Sequence, residues 1–259
     1  PWVLALLGSL LGLLIGVSFL YVGGMILNDV CDAAWDAERR SNRPIPAGLI
    51  TRRAATVAGI LCLLFGAWFT IGSSLTDHRL VTAVLVFLLI ACVLVYDRWH
   101  KDVAWAPVVM GACRALLPLI GFFAVGGLID GPHFRGLELL KLLAHPCVLW
   151  ALTLSITVVA RHEATPGRPP RWAEWLLYLV PAPLFFTSPR PGVALFACIL
   201  YWAWLARSAR RHPLPTGVGR RVSDRLASLP LIDLAAAGLF YSQVGFLQNA
   251  QDPMQDGWA

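Results

Sequence analysis

Residues 27–51 read LNDVCDAAWDAERRSNRPIPAGLIT. This polar run follows an apolar stretch, residues 2–27, long enough to cross roughly 30 Å of hydrocarbon as a helix. If that helix continues into the run, Asn28, Asp32 and Asp36 recur every fourth residue and form one stripe on one face. Like charges at that spacing repel and destabilise a bare helix, so the stripe calls for a cation beside it. Its oxygens suit a hard divalent ion. Magnesium takes one or two protein carboxylates, keeps several waters and completes its shell with phosphate oxygens. Arg39, Arg40 and Arg43 follow at once, and guanidinium groups match phosphate geometry. Two readings stay open on spacing alone: a cradle for a metal and a diphosphate, or a solvated connection whose arginines, Arg39 to Arg53, anchor the topology.

The rest of the chain is in keeping with a membrane setting. Of 259 residues, 58% are hydrophobic and 14% charged, too apolar for an ordinary soluble domain. The formal net charge of +6 does not indicate nucleic-acid binding, because the basic residues lie in short connections between apolar runs. Cys31, Cys62, Cys92, Cys113, Cys147 and Cys198 form no CxxC pair and sit mostly inside those runs. They read as small packing residues, not as a zinc site or a disulfide framework.

Apolar segments at about 2–27, 54–75, 80–96, 106–129, 142–160, 174–188, 192–206 and 226–247 predict eight membrane helices in one domain, with a polar tail at 248–259. The first run has no basic flank and is too long for a signal peptide, so it is expected to span. Pro181 and Pro183 interrupt the sixth segment, as a kinked or re-entrant helix would require. Of the 21 Lys and Arg, sixteen fall in alternate connections at 29–53, 97–105, 161–173 and 207–225. Arg79, Arg135, Lys141 and Arg190 occupy the other set, and Arg114 lies within a span. This asymmetry places the first set, with the aspartate run, on the cytoplasmic side.

The run NDVCDAAWD at 28–36 matches the NDxxDxxxD motif of the UbiA superfamily of intramembrane prenyltransferases. RSNRPIPAGLIT, which ends at Thr51, resembles the arginine, RP and small-residue continuation of that family. The resemblance implies an all-α polytopic bundle in which Asn28, Asp32 and Asp36 hold Mg²⁺ against a prenyl diphosphate, with Asp29 the adjacent motif acid. UbiA-type proteins have nine helices, with the motif after the second. On that frame eight are visible here, and one more is expected upstream of Pro1.

Three further polar positions are candidates. YDRWHK, residues 96–101, resembles a Tyr and Lys element of the family, with one extra residue between them. Lys101 or Arg98 would neutralise diphosphate charge and Tyr96 would line the prenyl channel; an aromatic-belt residue with a basic anchor is the alternative. Arg114 lies near the middle of a span, where an arginine costs about 2.5–3.5 kcal/mol to insert and needs a partner or a wet cavity. Asp233 is the acid comparably deep in a span, so the two form an ion pair or Arg114 reaches the substrate. The third position is 155–167, SITVVARHEATPG. The family carries a second aspartate motif there, whereas no Asp occurs between Asp130 and Asp224. Glu163 would then supply an opposing carboxylate and Arg161 an electrostatic substitute, or the group is a plain interfacial cluster. A divergent branch, including members associated with bacterial Ebo-type gene clusters, is similar at this element.

What the resemblance implies is a Mg²⁺-dependent prenyltransferase of the bacterial inner membrane, moving a prenyl group from its diphosphate to an aromatic or other lipophilic acceptor. Asp32, Asp36, Lys101 and Glu163 would serve catalysis, and Arg39, Arg43, Tyr96, Arg98, Arg114 and Arg161 substrate binding. The alternative is a non-catalytic relative that binds or helps move an isoprenoid or related lipid.

Overall fold

The structure, a computed structural model, describes residues 2–74, 78–100, 103–124, 137–162, 168–188, 191–214 and 217–236. Among them the regular structure is all helical: α1 (Trp2–Arg39), α2 (Arg52–Gly72), α3 (Arg79–Trp99), α4 (Ala106–Ala124), α5 (Leu137–Ala160), α6 (Arg171–Leu179), α7 (Ala182–Thr187), α8 (Pro191–Arg211) and α9 (Val218–Ala227). A further helical stretch covers 229–236. Six helices, α1 to α5 and α8, are long and apolar enough to cross a membrane, and the protein is an integral, multi-pass one. The segment at 174–188 is interrupted as its prolines lead one to expect: it is two helices of nine and six residues, broken where Pro181 and Pro183 cannot donate to the preceding turn. The last expected span begins in the 229–236 stretch; its remainder and the tail lie outside the described residues. The chain also divides into two compact units, Pro1–Gly127 and Leu128–Ala259, where the sequence shows no boundary.

In the first unit α1 packs along α2 through small residues. A Cβ added to Gly16 would stand 2.6 Å from the Thr70 backbone nitrogen, and one on Gly66 would stand 2.7 Å from that of Leu20. Only glycine lets the two backbones approach this closely, the usual device where water supplies no drive for helix association. Leu20 and Leu27 of α1 join Leu63 and Ala67 of α2, Val86 and Leu89 of α3, and Leu116 and Ile120 of α4 in one core. Outward faces carry Leu64, Trp68, Leu80 and Phe87, as lipid contact demands.

The second unit has its own core around Leu152, Leu177, Leu184, Tyr201 and Ile232. Its broken segment is repaired by side chains. Pro181 cannot donate to the Leu177 carbonyl one turn earlier, and the Tyr201 hydroxyl of α8 donates there instead, at 3.1 Å. Trp202 Nε1 donates to the Tyr178 carbonyl at 2.9 Å. Tyr201 is 1% exposed, so Tyr201→Phe is expected to cost about 1–3 kcal/mol by leaving a buried acceptor unpaired. Thermal unfolding in detergent checks this; a melting temperature equal to that of wild type would show that another donor serves Leu177.

Candidate active site

Helix α1 runs on through the aspartate motif for 38 residues in all, because Ala33, Ala34, Ala37 and Glu38 are strong helix formers. Its last turn closes with the Arg40 N–H donating to the Asp36 carbonyl at 2.6 Å. Ser41, Asn42 and Pro44 then turn the chain out of the helix. Gly48 takes φ +73°, a backbone region costly for a residue with a Cβ. Thr51 caps α2 by accepting from the Ala54 N–H at 3.2 Å. This short excursion carries Arg43 back over α1, where its Nη1 donates to Asp29 Oδ1 at 2.9 Å.

Within the first unit lies a cavity of about 920 Å³, of the size typical for small-molecule sites. Leu14, Val17, Leu20, Leu89 and Leu117 line one part of it; Asn28, Asp29, Arg43, Tyr96, Asp97, His100 and Arg114 line the other. The polar residues come from the end of α1, the connection after it, the end of α3 and the first half of α4. These are connected ends that the basic-residue pattern assigns to one side of the membrane. Arg114 thus has the polar cavity that an intramembrane arginine requires. Pro118, one turn on, cannot donate to the Arg114 carbonyl, which loses its ordinary helical donor.

The α1 stripe meets α3 here. His100 Nε2 stands 3.7 Å from Asp32 Oδ1, and its ring stacks on Tyr96 with centroids 5.0 Å apart. Asp97 is 7% exposed, and its Oδ2 has no hydrogen-bond partner. The Asp32 carboxylate is near enough to repel it. The donors Asn28, Asp29, Asp32 and Asp97 are hard oxygens suited to magnesium. Among the described residues no three of His, Cys, Asp and Glu converge as a preformed cage.

Of the residues singled out from the sequence, Asn28, Asp29, Arg43, Tyr96 and Arg114 line the cavity, and Asp32 reaches it through His100. Asp36 is 3% exposed, one turn further along α1, and is not part of the cavity wall. Arg39 is exposed, paired with Glu38 at 3.1 Å and laid over the Trp35 ring at 4.7 Å. Arg98 lies at 6.0 Å over Trp99. Neither arginine lines the cavity. Arg161 directly follows α5 in the second unit, and Lys101 and Glu163 lie outside the described residues. Asp233 takes His145 of α5 as its neighbour, at 3.0 Å. Sequence reading passed over Asp97 and His100. Their signal was an Asp and a His three residues apart at the end of an apolar span, hence on one face, beside the Tyr already noted.

The family model described as the UbiA prenyltransferase family matches residues 2–169. Over 131 residues the chain is 37% identical to a protoheme IX farnesyltransferase of Parvibaculum lavamentivorans, covering 49% of this chain and 40% of that protein. It is 34% identical over 148 residues to the protein of that name from Bradyrhizobium diazoefficiens, with 51% and 46% covered. To that from Alkalilimnicola ehrlichii it is 30% identical over 211 residues, with 78% and 67% covered. The chain therefore spans less than half the length of the first two relatives. No solved structure matches it.

Proposed function

Because the chain belongs to the UbiA prenyltransferase family, we propose that it transfers a prenyl group from a prenyl diphosphate to a lipophilic acceptor within the membrane, with Mg²⁺ as cofactor. The observation that carries this reading is the cavity's division into an apolar part and a part with Asn28, Asp29, Arg43 and Arg114. A prenyl tail and a diphosphate head have that same division. Leu14, Val17, Leu20 and Leu117 would hold the tail and keep water from the allylic carbon. Arg43 and Arg114 would bind diphosphate oxygens. Asn28 and Asp32 would hold the metal, which when bound neutralises the departing diphosphate; Asp36, buried one turn on, is outside the cavity wall. Tyr96, held by its stack on His100, offers an aromatic face to positive charge developing on the allylic carbon. The names of the relatives make farnesyl diphosphate and protohaem the first donor and acceptor to test.

The test is to incubate membranes containing the full chain with Mg²⁺ and radiolabelled farnesyl diphosphate, with and without protohaem, following diphosphate release and labelled lipid. Magnesium-dependent label in a lipid product is expected. Tight binding of farnesyl diphosphate with no release would point to a carrier of isoprenoids, and neither binding nor release across farnesyl, geranyl and geranylgeranyl donors would sink the reading.

A further inference from the structure

The α1 stripe presents its oxygens from a single helix, whereas a cation is held best by oxygens that approach from more than one direction. Among the described acids, Asp97 is placed to supply the second direction. It comes from α3, lines the same cavity and faces Asp32. A buried carboxylate is normally satisfied by a donor, since leaving it bare in an apolar surround is costly. Asp97 is more than nine-tenths buried, and its Oδ2 has no such donor. Arg98, next in the chain, is exposed and lies over Trp99. His100, one turn on, is engaged with Asp32. Two like charges near each other are stabilised by an ion between them.

We propose that Asp97 is a ligand of the divalent cation, its unpartnered Oδ2 completing from α3 the oxygen set that Asn28 and Asp32 begin on α1. This inference rests on the prenyl diphosphate reading and deepens it. The opposing carboxylate, sought in the sequence at Glu163, is present inside the first unit. The same assignment accounts for the absence of an acid-rich run between Asp130 and Asp224, since α3 supplies an acid that such a run would contribute.

The test uses the full chain in detergent micelles with Mn²⁺ as the probe and inorganic diphosphate present, reading bound metal from the loss of the free-ion electron paramagnetic resonance signal. Asp97→Asn is expected to weaken Mn²⁺ binding at least about tenfold, while Asp97→Glu, which keeps the charge, retains most of it. In metal-free buffer Asp97→Asn is expected to melt above wild type, because it removes a buried charge that the neighbouring Asp32 repels. A purely structural acid would show the opposite shift. Wild-type Mn²⁺ affinity in Asp97→Asn, with affinity lost in Asp32→Asn, would overturn the role of Asp97 and leave the diphosphate reading standing. Wild-type affinity in both would remove that reading as well. Should Asp97→Asn fail to fold, carbodiimide labelling of the wild-type protein decides. Protection of Asp97 by Mn²⁺ supports the assignment, and equal labelling with and without the metal overturns it.

Discussion

Asp32→Asn is expected to lower the rate of prenyl transfer by about a hundredfold or more, the usual loss when stabilisation of departing negative charge is removed, because Asp32 would hold the cation that supplies it. Asn fills the same space and can still meet His100, which now stands 3.7 Å away, so packing at the α1 and α3 contact should survive. What disappears is the anionic oxygen that a hard cation needs. Asp29→Asn should cost less. Asp29 is already neutralised by Arg43 at 2.9 Å, and its loss frees that arginine for phosphate. The comparison is made on initial rates of labelled-lipid formation, at saturating and at limiting Mg²⁺, with size-exclusion profiles confirming intact protein. A rate for Asp32→Asn close to that of wild type, or a deeper loss for Asp29→Asn, would contradict the proposed arrangement.

Glu174→Gln should be the most destabilising single change in the second unit, by about 3–5 kcal/mol, the range for breaking a buried ion pair from one side. Glu174 of α6 receives Arg221 Nη1 at 3.2 Å and Arg225 Nη2 at 2.5 Å. The two arginines are 8% and 5% exposed. Arg221 is fastened further to the carbonyls of His212 and Ala209 at the end of α8. One carboxylate therefore compensates two buried cations and ties α9 to α6. A loss of that size is a large share of the roughly 5–15 kcal/mol that holds an ordinary domain together. Thermal unfolding in detergent should show it, and the triple change Glu174→Leu, Arg221→Met and Arg225→Met should recover much of it, because no charge is then left alone. An unchanged melting temperature in Glu174→Gln would mean that solvent reaches the two arginines.

These two sites differ in how far they could be read from the chain. The Asp32 stripe was legible because a four-residue spacing on a continuing helix is a local property, and the alanines around it carry α1 through the motif. Arg221 and Arg225 were counted with the loop cations that orient the protein. They are buried instead, because α9 packs its basic face against α6, a partner 47 residues away along the chain in the Arg221 pair. The same limit applied at α3. Its apolar length announced a span, yet nothing in YDRWHK told which of its side chains would face α1.

By itself the sequence determined that the protein is helical and membrane-embedded, that Asn28, Asp32 and Asp36 share one face if the first helix continues through them, and that Pro181 interrupts the sixth apolar segment. Each of these follows from neighbours within one or two turns, through hydropathy, helical period or a missing N–H. Only the tertiary structure decided which charges share the cavity. Arg43 and Arg114 are in its wall, while Arg39 and Arg98 lie over tryptophans outside it. Asp97 was brought to face Asp32 by the packing of α3 against α1. Helical spacing assigns a side chain to a face of its own helix, but which face meets a neighbour is set by packing between segments distant in the chain.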